Sequence, residues 1–194
     1  EPQPASPGAS ARSCAPAMSA PPGPPGGRVP IAAILCDLDG TLLHTAPDIT
    51  IAVNAMLCGL GRAPIAEGVV ATHVGQGVDV LLHRVLTRER DGRSDASEHA
   101  RARERFLEHY AAHNGRSAKL YPGVREGIDH AKRLGIPMCC VTNKLQSFSE
   151  ALLALTGLDR DLTFVQGGDA LPKTKPDPLP LLHAGRGDAV DRAR

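Results

Sequence analysis

Asp37-Leu38-Asp39-Gly40-Thr41 comes directly after an apolar run, Ile31-Ala32-Ala33-Ile34-Leu35-Cys36. The run reads as a buried strand. Two aspartates two positions apart, where the chain leaves regular pleating, reach one rim of a sheet, and in open α/β sheets that rim is where ligands bind. One carboxylate can attack an electrophile while the other moves a proton, and Gly40 lets the backbone turn sharply just beyond the pair. The same oxygens suit a hard divalent cation. An Asp-x-Asp pair by itself is usually a solvated loop; its place at the end of an apolar strand makes Asp37 and Asp39 candidate site residues.

Two further segments carry groups suited to an anion. Thr142-Asn143-Lys144 comes after a second apolar run, Ile136 to Val141. A hydroxyl and free backbone N–H groups between a strand and a helix suit a phosphate oxygen, although Thr and Asn are also common turn residues. Lys175-Pro176-Asp177-Pro178 places an ammonium in an extended backbone before a proline. Beside a phosphoryl group it would neutralise developing charge; otherwise the stretch is a surface Pro-rich loop.

With these three segments in place, the chain resembles the haloacid dehalogenase superfamily, specifically its phosphatases of the Asp-x-Asp-Gly-Thr type. Asp37 through Ile49 resembles the phosphoglycolate phosphatase branch, and the resemblance spans roughly residues 30 to 183. It implies Asp37 as the nucleophile and Asp39 as the acid and base. It further implies Thr142, with Asn143, and Lys175 as phosphate-binding residues, Lys173 standing two positions too early. The implied cofactor is Mg2+, held by Asp37 and Asp39, and the implied substrate is a small phosphorylated metabolite, 2-phosphoglycolate in this branch. The second aspartate points to phosphoryl transfer, since the dehalogenases lack it. Phosphosugar mutases and other phosphatases of the superfamily share these core motifs.

The elements that must position these residues emerge from periodicity. Strands end near Cys36, Val141 and Val165, and helices intervene over Pro122–Leu134 and Leu145–Leu155, an alternation that predicts a parallel sheet with crossover helices. Between the first strand and this region, helical spacing recurs over Pro47–Leu60, Ile65–Val74, Val78–Leu86 and Ser97–Ala112. The expected architecture is α/β: a Rossmann-like core from residues 30–46 and 116–184, with residues 47–115 inserted as a small helical cap over the carboxylates. The cap contains no Lys, which argues against relatives that form a Schiff base there. Gly75-Gln76-Gly77 resembles the cap loop of phosphoglycolate phosphatases; a plain helix–helix turn reads equally well.

Composition narrows the function classes. A net charge of +1 gives no general affinity for nucleic acid or anionic membrane, and 3% aromatic residues with no Trp leave no base-stacking platform. No apolar run approaches a membrane span. Cys14, Cys36, Cys58, Cys139 and Cys140 show no paired spacing, which fits a reducing cytoplasm without a disulfide framework or a zinc site. Cys36 and one of the adjacent pair read as small buried apolar residues.

Both ends depart from the pattern. Residues 1–29 hold eight of the 17 prolines and read as a disordered extension, with Met18 as the expected natural start. The superfamily's fourth motif, an acidic loop after a further strand, needs roughly 20 residues beyond Lys175 at average element lengths. Only 19 remain, and no apolar strand precedes Gly187-Asp188. Asp188 and Asp191 therefore read as charges of an irregular tail, residues 185–194, and the chain as C-terminally truncated. The alternative to an active phosphatase is accordingly a truncated, non-catalytic relative. Lacking later strands, the first strand would be an apolar edge prone to aggregation.

Overall fold

The computed structural model describes residues 31–185, which lie within one compact unit. The expectations for residues 1–29, for Met18 and Cys14, and for Asp188 and Asp191 fall outside them.

Three parallel strands, β1 (Ile34–Cys36), β4 (Met138–Val141) and β5 (Phe164–Gln166), form a sheet in the order β1-β4-β5. Ile34 lies opposite Met138 and Cys139 opposite Phe164, so all three strands end at the same rim. The crossovers are helical: α5 (Val124–Arg133) precedes β4, and α6 (Gln146–Thr156) links β4 to β5. Central strand β4 is buried at every residue. Cys139 and Cys140 are therefore both buried, rather than one of the two, because both faces of this strand are covered. β1 is less buried than its apolar composition suggests, and among the described residues it is the edge strand the sequence reading expects. Its three residues are only half-buried, because β4 pairs with one side and, among the described residues, no strand pairs with the other. The core beneath the sheet gathers Leu38, Leu43, Ile128, Cys140, Leu152 and Leu153.

Four helices form a second apolar core: α1 (Ala46–Gly59), α2 (Glu67–His73), α3 (Val78–Thr87) and α4 (Ala96–His113). Val53, Met56 and Leu57 of α1 meet Ala102, Phe106 and Tyr110 of α4 in that core. Asp95 caps α4, its carboxylate accepting from the Ser97 and Glu98 N–H groups, which satisfies two donors a helix start would otherwise leave open. Among the described residues no helix is long and apolar enough to cross a membrane.

Two short elements escape periodicity. Leu43–His44 (β2) pairs antiparallel with Lys119–Leu120 (β3), joining the segments that enter and leave the four-helix layer. After Lys175 the chain forms α7 (Leu179–Gly185). Pro180 is tolerated in its first turn because the missing N–H has no partner to lose there, and Asp177 accepts from the Leu179 N–H at 2.9 Å.

Asp48 ties the two junctions together. It is fully buried in the first turn of α1 and accepts from the backbone N–H groups of Gly115 (3.1 Å) and Ser117 (2.8 Å). Asp48→Ala strands both donors, and we expect a loss of about 3 kcal/mol in unfolding free energy, read as a lower urea midpoint at unchanged slope. A loss below about 1 kcal/mol would show that water replaces the carboxylate and that the junctions do not depend on it.

Candidate active site

The loops leaving β1, β4 and β5 converge at the strand ends. Asp37 comes directly after β1. Its carboxylate accepts from the Leu38 N–H at 2.8 Å and pairs with Lys175 at 3.0 Å. Lys175 reaches this position from beyond β5, and its ammonium also donates to the Val141 carbonyl at 2.6 Å. About a third of the Asp37 side chain remains exposed.

Asn143 holds Lys175 in place. Its amide Nδ2 donates to the Lys175 carbonyl and its Oδ1 accepts from the Lys175 N–H, both at 2.9 Å. The same Nδ2 donates at 2.9 Å to the Gly75 carbonyl of the α2–α3 turn. The side chain expected to meet phosphate is thus occupied with the backbone on either side, leaving the Asn143 backbone N–H as the group suited to an anion. Thr142 is buried, and its Oγ1 accepts from the Lys144 N–H at 3.2 Å, so the hydroxyl proton is available for a further acceptor. Gly168 packs against this loop so closely that a Cβ there would sit 2.4 Å from the Asn143 carbonyl oxygen, a separation no side chain tolerates.

Asp39 is held more tightly than Asp37. Thr45 occupies the N-cap position of α1 yet does not cap it; its hydroxyl donates instead to Asp39 Oδ1 at 2.7 Å. Lys144 Nζ donates to Oδ1 at 3.0 Å and approaches Oδ2 at 3.3 Å. That ammonium, only 5% exposed, also donates to the Tyr110 hydroxyl and lies 4.7 Å from the centre of the Tyr110 ring. Burial by itself would lower the pKa of Lys144, but the Asp39 carboxylate and then Tyr110 outweigh it and hold the group above the ordinary lysine value. Burial likewise pushes the Tyr110 hydroxyl up to about 12. Tyr110 is fixed by stacking on Phe106 and by an edge contact with Phe148.

Asp37, Asp39, Thr142, Asn143 and Lys144 line one cavity of about 60 Å³ with residues of the four-helix layer, among them Gly75, Leu81, Phe106 and Tyr110. Gly75-Gln76-Gly77 is both the α2–α3 turn and part of this arrangement. Gly75 and Gly77 have φ of +112° and +87°, values that exclude most side chains, while Arg84 donates to the Gln76 carbonyl oxygen Oε1 at 2.7 Å. The structure therefore brings every residue expected at the site together, Lys175 through its pairing with Asp37. It adds Thr45, Lys144 and Tyr110, which sequence reasoning missed. Lys144 stands next to the candidate threonine, but nothing local distinguishes a buried lysine from a solvated one at a helix start.

Comparison with known proteins fixes the class. The family model of haloacid dehalogenase-like hydrolases matches residues 31–186, and the chain belongs to that family. Within it the chain is a phosphatase. It is 44% identical over 156 residues to a phosphoglycolate phosphatase of Thiobacillus denitrificans, covering 80% of this chain and 69% of that protein. It is 42% identical, with the same coverage, to one of Nitrosospira multiformis. A crystal structure of a predicted phosphoglycolate phosphatase from Haemophilus somnus superposes with a TM-score of 0.74 at 28% identity, covering 81% of this chain and 72% of that one.

Proposed function

We propose that this phosphatase hydrolyses a small phosphate monoester in the cytoplasm, 2-phosphoglycolate to glycolate, through an aspartyl-phosphate on Asp37. The observation that carries the reading is the contrast between the two aspartates. Asp37 is partly open and paired with a single cation at the strand end, whereas Asp39 is enclosed by a hydroxyl and an ammonium. An open carboxylate suits attack; an enclosed one suits holding and moving a proton.

Asp39 first takes up a proton from solvent; in the first step an Asp37 oxygen attacks phosphorus, the bond from phosphorus to the ester oxygen breaks, and Asp39 gives that proton to the departing alkoxide. In the second, Asp39 takes a proton from water, the hydroxide attacks phosphorus, and the bond to Asp37 breaks, restoring both carboxyl groups and releasing inorganic phosphate. The Thr142 hydroxyl, the Asn143 backbone N–H and the Lys175 ammonium bind the phosphoryl oxygens, so catalysis is largely positioning and charge neutralisation.

The site residues fit Mg2+ in part. Among the described residues no three His, Cys, Asp or Glu side chains converge. Mg2+, however, is commonly held by one or two carboxylates completed by substrate phosphate and water. Asp37 offers a partly open carboxylate, and Asp39 would contribute its backbone carbonyl, its side chain being engaged. When bound, the ion would supply neutralisation of phosphoryl charge.

The helices over residues 47–115 act as the cap. They possess their own core and supply the apolar wall of the cavity. The preference for a small ester over a sugar phosphate is supported by the relatives at 44% and 42% identity, both phosphoglycolate phosphatases. The test is phosphate release in the presence of Mg2+ from 2-phosphoglycolate and from glucose 6-phosphate. We expect kcat/KM to favour 2-phosphoglycolate by about 100-fold or more; equal rates, or a preference for the sugar ester, would overturn the substrate assignment.

A further inference from the structure

The geometry points to Lys144 as the residue that selects esters carrying a carboxylate one carbon beyond the ester oxygen. This inference rests on the phosphatase reading and deepens it.

Lys144 is the only cation among the described residues lining the cavity, whose cap-side wall is otherwise built mainly from apolar groups such as Ile49, Val78, Leu81 and Phe106. Lys175 lies on the Asp37 side and serves the phosphoryl group. Lys144 lies on the Asp39 side, where the leaving group departs. The two ammonium groups thus mark two ends of the site, and a ligand with an anion at each end complements both.

Reach supports the assignment. If Asp39 donates to the ester oxygen, that oxygen lies one hydrogen bond, about 2.8 Å, from the Asp39 carboxyl group. Lys144 Nζ lies 3.0 Å from Asp39 Oδ1 and 3.3 Å from Oδ2, so the ester oxygen and Nζ are at most about 6 Å apart. A carboxylate one methylene from the ester oxygen, with one hydrogen bond to Nζ, spans that separation. An ammonium has three donors. In Lys144 they go to Asp39 Oδ1, to Asp39 Oδ2 and to Tyr110, and a substrate carboxylate would take over the longest of these, the 3.3 Å contact to Oδ2. Tyr110, fixed by Phe106 and Phe148, aims the ammonium as a positioning residue. A second phosphate at the far end of a sugar would lie beyond this reach.

The experiment compares kcat and KM for 2-phosphoglycolate with those for ethyl phosphate, which has the same ester bond and no carboxylate, in the wild-type chain, Lys144→Met and Lys144→Gln. Gln keeps a donor toward Asp39 and Tyr110 without the charge, so it serves where Met does not fold. We expect the preference for 2-phosphoglycolate, as a ratio of kcat/KM values, to fall about 100-fold in either variant, chiefly through KM for the carboxylate ester. A lysine that only positioned Asp39 would lower both substrates by one factor, and an unchanged ratio would overturn the assignment. A wild-type chain that hydrolyses ethyl phosphate without preferring 2-phosphoglycolate would overturn it too. A wild-type chain that hydrolyses neither would instead overturn the phosphatase reading on which it rests.

Discussion

Asp37→Asn lowers turnover of 2-phosphoglycolate by at least about 10,000-fold. A carboxamide oxygen is too weak a nucleophile to displace an alkoxide from phosphorus, and no other carboxylate in the site is open enough to take over. Asp39 is enclosed by Thr45 and Lys144, the latter backed by Tyr110. The fold should survive the change, since Asn keeps the shape and an acceptor for the Leu38 N–H, and the side chain is about one-third exposed. The pairing with Lys175 weakens, but that ammonium keeps its bond to the Val141 carbonyl. Steady-state phosphate release from a variant with a wild-type melting curve is the check. Activity within tenfold of wild type would mean that water attacks phosphorus directly and that Asp37 is only a ligand.

Asp39→Asn has a different signature, because Asp39 is required in opposite protonation states in the two steps. With an alkyl ester the leaving alkoxide needs a proton, and we expect a loss of about 100- to 10,000-fold with no burst. With p-nitrophenyl phosphate the leaving group departs without help, so the first step proceeds while the second, which needs a base, stalls. Stopped-flow absorbance should then show a burst of nitrophenolate equal to the enzyme concentration, and slow turnover after it. The two substrates losing the same factor, without a burst, would remove Asp39 from the proton transfers and leave it a purely structural partner of Lys144.

Much of this site is legible in the sequence because its parts lie at one kind of place. Parallel strands deliver their C-terminal ends to a common rim, so an apolar run leading into Asp37, another leading into Thr142, and Lys175 beyond a third had to converge. The residues that escape are those whose roles depend on a partner that only the folded chain reveals. Lys144 looks like any solvated lysine until Tyr110, 34 positions earlier, is seen to cover it. Thr45 stands where a helix cap belongs, and only the folded loop reveals that its hydroxyl is given to Asp39. Asp48 resembles an ordinary acid in a first helical turn, yet its carboxylate serves Gly115 and Ser117 in the turn that leads into β3. β2 and β3, at two residues each, are too short for a period of two to register. β1 reads as buried from its apolar composition, yet the same sequence, with no apolar strand after Lys175 to pair with it, already predicts the edge position that β1 holds among the described residues.

The most direct test of covalent catalysis is to look for phosphate on Asp37. The wild-type chain is mixed with 2-phosphoglycolate labelled at phosphorus in the presence of Mg2+, quenched in acid within milliseconds, digested and sequenced by mass spectrometry. A nucleophilic Asp37 predicts label on the peptide containing it, absent from Asp37→Asn and chased away by unlabelled substrate. Multiple turnovers in the wild-type chain with no covalent label at any quench time, and undiminished turnover in Asp37→Asn, would contradict it.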